Sequence, residues 1–410
     1  MHRRVAKGGT LILGGGFGGA HVARLVREAT IVSPESSMLY TPLLPEVAAG
    51  AVQPRHAFVP LRMMCPDAEL IRGRVSALDP LARTVAVETQ AGNVDVSYRR
   101  LVIALGSIAR MPPVPGLVEH AMTFKDLGDA IRLRNHVIRQ LDLAEADPCH
   151  ADRHLTFVFV GAGYAGVEAL AEMRQLVEDA GPHYPALRDV PQRWVLVEGA
   201  PEILPEVPRP LANHTTAQLR GHGVEILSSS TLASVDALGA TLADGRHLAT
   251  ATLVWTAGVV TNPLVRMLGL PLDRRSRILV DSSLRVIGRP DIWALGDCAA
   301  VPNAATPGSL DPPTCQHAVR QARVVAASLE GASRPYAYRS IGEGATLGRG
   351  QGVARVFRLH VRGRLGALIT RAYHIRAVPL RSRRLRILTD GLLSTALRRD
   401  IAELGSVETP

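Results

Sequence analysis

The sequence of 410 residues has few of the residues that form redox-active thiol or metal sites. Its four cysteines form no C-x-x-C or C-x4-C pair, which argues against a redox-active disulfide and against a zinc knuckle. Without a cysteine cluster, the chain also has no ligands for an iron–sulfur centre. We therefore predict no metal site, and we interpret Cys65, Cys149, Cys298 and Cys315 as small buried hydrophobic residues.

Long apolar runs are also missing. None approaches the ~18 to 20 residues that a membrane-spanning helix requires. The N-terminus reaches its first apolar strand, at Thr10, too soon to leave room for the apolar core of a signal peptide. We therefore expect a cytoplasmic protein, with a peripheral position at the inner face of the cell membrane left open. Hydrophobic residues make up 47% of the chain, which is enough for two or three domains with their own cores.

Lysine is nearly absent, and the positive charge is unevenly distributed. Lys7 and Lys125 are the only lysines. The formal net charge is +10, and residues 341–400 contain thirteen arginines but only Glu343, Asp390 and Asp400 as acids. The rest of the chain is therefore close to neutral.

The same basic segment has two apolar stripes at helical spacing. They are Leu365, Leu368, Ile369, Ala372 and Ile375, and then Leu388, Leu392, Leu393, Ala396 and Leu397. A basic amphipathic helix suits an anionic membrane surface. The pattern equally fits a helix that packs on the protein core or on a second subunit, so a homodimer stays open. We expect no nucleic-acid binding, because the segment lacks interleaved stacking aromatics.

The most informative feature of the chain is a pair of glycine-rich turns, each between an apolar strand and a helix. Their glycines follow the pattern G-x-G-x-x-G, at Gly14, Gly16 and Gly19 and again at Gly161, Gly163 and Gly166. The first glycine permits a tight turn, the second lets the backbone approach a pyrophosphate, and the third allows close packing of helix on strand. Two such turns indicate two bound dinucleotides, and electron transfer between them is the economical reason to hold both.

The residue that follows the second strand of each unit distinguishes the two sites. Glu198 follows an apolar strand in the second unit, where a carboxylate binds the ribose hydroxyls and repels the 2′-phosphate of NADP. We therefore predict that the second site prefers NADH to NADPH. In the first unit Ser33 stands at this position, with Glu35 two residues later. Because a serine makes only neutral hydrogen bonds, we expect the first site to be the weaker one.

Further motifs extend this pattern along nearly the whole chain. They are Tyr40-Thr41-Pro42-Leu43-Leu44-Pro45-Glu46, Ala104-Leu105-Gly106-Ser107, Trp255-Thr256-Ala257-Gly258-Val259, Leu295-Gly296-Asp297-Cys298-Ala299 and Pro313-Thr314-Cys315-Gln316-His317-Ala318. In this order, together with the two turns, they resemble the type II NADH dehydrogenases, which are single-subunit NADH:quinone oxidoreductases. The resemblance implies an α/β protein with two Rossmann-like dinucleotide-binding domains, the two-dinucleotide-binding flavoprotein fold. It implies FAD in the first domain, NADH in the second, and a quinone or other small electron acceptor.

We predict a discontinuous FAD-binding domain over residues 1–125 and 284–333, and an NADH-binding domain over residues 126–283. Residues 334–410 would form a small basic C-terminal region for membrane association or dimerisation. The resemblance assigns FAD-binding positions to Gly14, Gly16, Phe17, Gly18, Gly19, Ser33, Val75, Ala104, Gly106, Gly296, Asp297 and Ala299. It assigns NADH-binding positions to Gly161, Gly163, Gly166, Glu198, Ala257 and Gly258.

The resemblance gives more particular roles to two of these residues and to Glu168, a further position that it carries over. Asp297 matches the aspartate that binds the flavin ribityl chain, although a short polar residue here would also suit a helix N-cap. Val75 matches a residue whose backbone meets the adenine. Glu168 matches a glutamate close to the nicotinamide, although a solvated carboxylate on a helix is the plainer interpretation.

Gln316 matches the first glutamine of an A-Q-x-A-x-Q segment that lines the quinone site. In this chain the segment begins with Cys315, and Arg320 replaces the second glutamine. His317 lies between them and could donate a proton to the reduced acceptor. The resulting hypothesis is an FAD-dependent NADH:quinone oxidoreductase that does not pump protons, with Glu168 and Gln316 as its catalytic residues. A soluble NADH-dependent flavoprotein reductase for a protein carrier or pathway-specific acceptor is an alternative, and a non-catalytic nucleotide-responsive binding protein is another.

Overall fold

The computed structural model describes residues 2–340 and 342–405, and the chain divides into two compact units. The first unit comprises Met1–Leu39, Phe58–Ile108 and Val259–Ser340, and the second comprises Tyr40–Ala57, Ala109–Gly258 and Ile341–Pro410. The chain thus returns to the first unit at Val259, earlier than residue 284, which the sequence indicates. The basic C-terminal segment is grouped with the second unit.

The α-helices, in chain order, are α1 (Phe17–Leu25), α2 (Leu44–Ala48), α3 (Leu61–Met64), α4 (Leu117–His120), α5 (Leu127–Ala146), α6 (Tyr164–Ala180), α7 (Arg209–Gly221), α8 (Cys315–Leu329), α9 (Gly363–Ala377) and α10 (Arg381–Ala396). Helix α5 begins at a cap, because the side chain of Asp126 accepts from the backbone N–H of Asp129.

The strands before residue 110 are β1 (His2–Val5), β2 (Thr10–Leu13), β3 (Thr30–Ser33), β4 (Ser37–Leu39), β5 (Phe58–Pro60), β6 (Glu69–Arg72), β7 (Arg74–Asp79), β8 (Thr84–Thr89), β9 (Gly92–Ser97), β10 (Arg100–Ile103) and β11 (Ser107–Ala109). The next strands are β12 (Met122–Thr123), β13 (Thr156–Val160), β14 (Arg193–Val197), β15 (Val224–Leu227), β16 (Leu232–Asp236), β17 (Gly239–Leu242), β18 (His247–Ala249) and β19 (Thr252–Trp255). The last are β20 (Val259–Thr261), β21 (Ile278–Leu279), β22 (Arg285–Val286), β23 (Arg289–Ala294), β24 (Ala299–Ala300), β25 (Gly342–Thr346), β26 (Gly352–Val356) and β27 (Leu359–Arg362).

The first unit is built around a sheet in the order β22-β23-β10-β2-β3-β6, parallel from β23 to β6. Strands β2 and β3 are fully buried, as the unbroken apolar sequence of a central parallel strand predicts. Because β2 lies between β10 and β3, the first glycine turn sits at the carboxyl end of a central strand. A second sheet, β1-β9-β8-β7, belongs to the same unit.

The second unit repeats this arrangement with the parallel sheet β12-β19-β13-β14-β15. Strand β13 lies between β19 and β14 and is buried along its length, so the second glycine turn also follows a central strand. The C-terminal segment adds an antiparallel sheet, β25-β26-β27, with α9 packed on it. Strand β25 contacts α6 and β26 contacts α7, which explains why this segment groups with the second unit.

Within the residues described, no helix combines the length and apolar character needed to cross a membrane.

Candidate functional site

The first glycine turn has a backbone that only glycine accommodates at two of its three fingerprint positions. Gly14 has φ of +106°, and a Cβ there would lie 2.3 Å from the carbonyl oxygen of Ala104. A Cβ at Gly19 would lie 1.9 Å from the carbonyl oxygen of Gly14. At Gly16, the N-cap of α1, a Cβ would meet nothing within 4 Å. The turn therefore leaves open space directly in front of the N-terminus of α1.

The second turn repeats this geometry. Gly161 has φ of +103°, and a Cβ there would lie 2.7 Å from the backbone of Ala257. A Cβ at Gly166 would lie 1.8 Å from the carbonyl oxygen of Gly161, whereas one at Gly163 would meet nothing within 4 Å. The hydroxyl of Thr256 donates to the Gly161 carbonyl at 2.8 Å and fixes the turn against β19.

Both turns fit a dinucleotide pyrophosphate. Each places open space at the N-terminus of a helix, where backbone N–H groups lack partners within the helix and the dipole favours an anion. The same space would be filled by a side chain at Gly16 or Gly163. The residues present in each unit therefore match the group that the sequence predicts there.

The two units differ at the end of the strand that follows each glycine turn, β3 or β14, as the sequence indicates. Ser33 is the last residue of β3, and Glu198 directly follows β14. One carboxylate oxygen of Glu198 accepts from the N–H of Ala162 at 2.6 Å, and the other accepts from the N–H of Ala200 at 2.8 Å. The negative charge is therefore held beside the second turn. In the first unit Ser33 is buried, and a Cβ at Gly15 would lie 2.7 Å from its hydroxyl oxygen. The first turn therefore has a small neutral hydroxyl beside it where the second turn has a carboxylate.

The first unit brings Asp297 close to the end of β10. The hydroxyl of Ser107 donates to the Asp297 carboxylate at 2.5 Å, and no side-chain cap bond is present at the short 3-10 turn Gly296–Cys298. The N-cap interpretation of Asp297 is therefore wrong, since the residue lies inside that turn. The backbone N–H of Gly296 donates to the side chain of Gln321 at 2.7 Å.

Glu168 lies in a buried cluster of carboxyl groups in the second unit. One of its oxygens accepts from the backbone N–H of Thr346 at 2.8 Å and from the Thr346 hydroxyl at 3.2 Å. Burial raises the pKa of Glu168 to about 8, although the bonds from Thr346 oppose the rise. Burial also raises the pKa of Glu46 to about 7, and the nearby carboxylate of Glu172 adds to this. Glu168 is thus not a solvated helix carboxylate.

The C-terminal segment neutralises part of this cluster. The guanidinium of Arg399 donates to the Glu172 carboxylate at 2.5 Å and to the Glu172 carbonyl oxygen at 2.8 Å, and both side chains are buried. Arg349 pairs with Asp179 at 3.0 Å. Sequence reasoning gave no site role to Glu46, Glu172 or Arg399. The spacing of Glu168, Glu172 and Asp179, which places three acids on one face of α6, was the available signal.

Gln316 lies in the first turn of α8, in the first unit. Its side-chain carbonyl accepts from the hydroxyl of Tyr338 at 3.3 Å. The next residue, His317, has its Nδ1 at 2.7 Å from the hydroxyl of Thr314, the N-cap of α8. Burial lowers the pKa of His317 and the charge of Arg320 lowers it further, while the Asp311 carboxylate opposes both. Tyr338 is a further residue that the sequence did not indicate.

The predicted site residues are thus divided between the units. The first unit contains Gly14, Gly16, Phe17, Gly18, Gly19, Ser33, Val75, Ala104, Gly106, Gly296, Asp297, Ala299 and Gln316. The second contains Gly161, Gly163, Gly166, Glu168, Glu198, Ala257 and Gly258. Val75 lies on β7, at the bulge where this strand pairs with β8.

All four cysteines lie in the described part of the chain, and all are free thiols. Cys65 and Cys298 are buried, and burial raises the pKa of each thiol to about 11. Cys149 is exposed and Cys315 is partly exposed, so the prediction that all four are buried is wrong for these two.

Comparison with known proteins agrees with this architecture. The pyridine nucleotide-disulphide oxidoreductase family matches residues 9–322. The chain belongs to this family.

Among its relatives are quinone-linked enzymes. The type II NADH:quinone oxidoreductase NdhA of Mycobacterium tuberculosis is 29% identical over 394 residues, covering 89% of this chain and 82% of that protein. Demethylphylloquinone reductase NdbB of Synechocystis is 28% identical over 389 residues, covering 90% of this chain and 91% of that protein. The structure of NDH2 from Plasmodium falciparum in complex with NADH has a TM-score of 0.88 at 18% identity, with 96% of this chain and 99% of that chain covered. These similarities confirm the predicted fold class and the resemblance to type II NADH dehydrogenases.

Proposed function

We propose that this chain is an FAD-dependent NADH:quinone oxidoreductase that does not pump protons. FAD would occupy the first unit and NADH the second. The observation that carries the proposal is the duplicated turn, in which the open space at Gly16 and at Gly163 fits a pyrophosphate in each unit. The relatives named above, which include two quinone reductases, support the choice of acceptor class.

Flavin, when bound, supplies the hydride and electron transfer itself, and the protein supplies binding and electrostatics. In the second unit, Glu198 would bind the ribose of NADH and exclude NADPH by charge repulsion. Glu168 would hold a proton at neutral pH, because its raised pKa keeps the carboxyl neutral there. In the first unit, Asp297 would bind the ribityl chain, and the amide of Gln316 would bind the acceptor.

The two half-reactions test these assignments separately. We expect Gln316→Ala to slow reoxidation of the reduced protein by a water-soluble quinone about tenfold or more, while reduction by NADH keeps its rate. Stopped-flow absorbance at the flavin band under anaerobic conditions measures both. Equal loss in the two half-reactions would contradict the placement of Gln316 on the acceptor side.

The exposed C-terminal helices support a peripheral membrane contact. Apolar side chains on both helices are exposed, among them Leu368 at 63% and Leu392 at 62%. The leucines of both stripes are therefore not packed on the protein's own core, whereas Ile369 and Ile375 are partly buried. Exposed arginines such as Arg376, Arg381 and Arg386 flank them. We propose that this surface docks on anionic lipid headgroups, each arginine adding about 1 kcal/mol. A second subunit seated on the same stripes is the alternative.

Co-sedimentation with anionic vesicles distinguishes these occupants. We expect binding that weakens with salt, since the Debye length falls from roughly 10 Å at 0.1 M to about 3 Å at 1 M. Changing Arg376, Arg381 and Arg386 to Gln should abolish most of the binding. The matched control changes three exposed arginines of the first unit, Arg27, Arg62 and Arg72, to Gln. Protein that stays in the supernatant at low salt and sediments as a dimer would favour the second subunit.

A further inference from the structure

The acceptor-side glutamine is held by a residue from outside its helix. The phenolic hydroxyl of Tyr338 donates to the side-chain carbonyl of Gln316 at 3.3 Å, and both residues are partly exposed. A primary amide has one acceptor end and one donor end. Because Tyr338 holds the oxygen of Gln316 on its own side, the NH₂ group of Gln316 is directed away from Tyr338 and can donate to another partner.

Tyr338 is itself fixed at its backbone. The side-chain NH₂ of Asn303 donates to the Tyr338 carbonyl oxygen at 2.7 Å, and the Tyr338 N–H donates to the Asn303 carbonyl at 3.0 Å. Asn303 is buried and also donates to the carboxylate of Asp311 at 2.9 Å. The other carboxylate oxygen of Asp311 accepts from the side-chain NH₂ of Gln321. The side-chain carbonyl of Gln321 in turn accepts from the backbone N–H of Gly296. A continuous set of hydrogen bonds therefore joins Tyr338 to the segment that we assign to FAD.

The ring of Tyr338 also contacts α8. The guanidinium carbon of Arg320 lies 5.2 Å from the ring centroid, and the His317 ring meets the ring edge-on at 5.2 Å between centroids. Gln316 and Arg320 are four residues apart and share one face of the helix. Arg320 stands where the resembled family segment has its second glutamine, and an arginine has no acceptor atom. Tyr338 thus contacts both of these helix positions, Gln316 through its hydroxyl and Arg320 through its ring.

We propose that Tyr338 is a positioning residue for the acceptor: it orients the Gln316 amide so that its NH₂ group donates to a carbonyl oxygen of a bound quinone. This inference rests on the proposed function and makes it more specific. It predicts that the site recognises the oxidised quinone through a hydrogen-bond donor. Tyr338 itself does not touch the substrate, so its effect must pass through Gln316.

Binding without turnover tests this directly. The FAD-loaded, oxidised protein is titrated with a water-soluble short-chain quinone by calorimetry, with no NADH present. We expect Tyr338→Phe, which keeps the ring and removes the hydroxyl, to weaken binding about three- to tenfold, as the loss of one neutral hydrogen bond allows. In the Gln316→Ala background the same change should have no further effect. Tyr98→Phe is the matched control, because its hydroxyl is buried in the same unit without a hydrogen-bond partner among the described residues.

A second variant tests the direction of the amide. Gln316→Glu keeps an acceptor for the Tyr338 hydroxyl but has no NH₂ group, so it should bind quinone as poorly as Gln316→Ala. Wild-type affinity in Gln316→Glu would overturn the inference. So would equal behaviour of Tyr338→Phe and Tyr98→Phe, or additive losses in the double variant. If NADH bleaches the flavin but wild type binds no quinone, the proposed acceptor is wrong and the inference fails with it.

Discussion

The two glycine turns share one backbone geometry, but their surroundings differ. In each, the first glycine has a left-handed φ and the third lies against the carbonyl oxygen of the first. Beside the first turn lies the neutral, buried Ser33, and beside the second lies the carboxylate of Glu198, held by two backbone N–H groups. The turn geometry is therefore common to both units, and we predict that the neighbouring strand end selects which dinucleotide binds.

The helices that follow the turns differ as well. Helix α6 carries the buried acids Glu168, Glu172 and Asp179, and the C-terminal segment supplies Arg399 to them. Helix α1 instead carries His21, whose Nδ1 bonds the carbonyl oxygen of Phe17 at 2.8 Å. Helix α6 thus carries several buried carboxyl groups, whereas helix α1 carries one histidine whose pKa is lowered by burial.

The largest expected effects come from replacing the glycines of the two turns. In each turn, replacing the third glycine should affect stability, and replacing the second glycine should affect dinucleotide binding. Gly19→Ala and Gly166→Ala force a Cβ against a backbone oxygen that cannot move aside, so we expect about 3 kcal/mol of destabilisation or more. Gly16→Ala and Gly163→Ala meet nothing in the free protein, so they should keep the melting midpoint and lose dinucleotide binding. Thermal unfolding together with titration of FAD or NADH measures both. If Gly163→Ala binds NADH normally, the open space is not the pyrophosphate site.

The next largest effect concerns the stability that the C-terminal segment gives to the second unit through Arg399. Arg399→Ala leaves Glu172 buried without its partner, which should cost about 3 to 5 kcal/mol. The matched control is Arg4→Ala in the first unit, which breaks the exposed pair with Glu69 and should cost less than about 1 kcal/mol. Urea unfolding of the two variants gives the comparison. Similar costs would show that Arg399 does not stabilise the cluster.

Glu198→Gln tests whether the carboxylate at the end of the second unit's strand sets the preference for NADH. An amide can accept from only one of the two backbone N–H groups, and it carries no charge to repel a 2′-phosphate. We expect NADH affinity to fall about tenfold, which corresponds to ~1.4 kcal/mol, and the preference over NADPH to shrink. Ser33→Ala in the first unit should leave both values unchanged. An unaltered NADH preference in Glu198→Gln would mean that another residue selects the cofactor.

The last comparison concerns pH, and the two helices should show pH dependences of opposite sign. Glu168 has a folded pKa of about 8 against an ordinary value of 4.5, so its contribution to stability is present below pH 4.5 and is lost as pH rises toward 8. His21 has its pKa lowered by burial to about 4 from 6.5. Its contribution is therefore present above pH 6.5 and is lost as pH falls toward 4.

The melting midpoint between pH 4.5 and 8.5 checks the acidic contribution. Glu168→Gln should flatten the decline above pH 5, whereas Glu178→Gln, an exposed change on the same helix, should leave the profile of wild type. Glu46 has a pKa of about 7 and is unchanged in both variants, so part of the decline of the melting midpoint with pH should remain in both. A profile for Glu168→Gln that matches wild type would mean that Glu168 is ionised in the folded protein.

The sequence predicted the elements that local patterns determine. The strands Thr10–Leu13 and Thr156–Val160 follow from apolar runs that lead into the two glycine turns. It did not predict the contacts of Tyr338 with Gln316 or of Arg399 with Glu172. Such pairs join distant parts of the chain, and no periodicity brings their members together. The roles of individual site residues also depend on contacts of this kind, so those roles remain predictions.

The central claim is that one chain holds two dinucleotides and passes electrons from NADH to a quinone. An anaerobic absorbance titration of the purified, FAD-reconstituted protein tests it most directly. We expect a yellow protein whose flavin band bleaches on adding NADH, bleaches far less readily with NADPH, and returns on adding a water-soluble quinone. A protein that takes up no FAD, or a flavin band that NADH leaves unchanged, would contradict the claim.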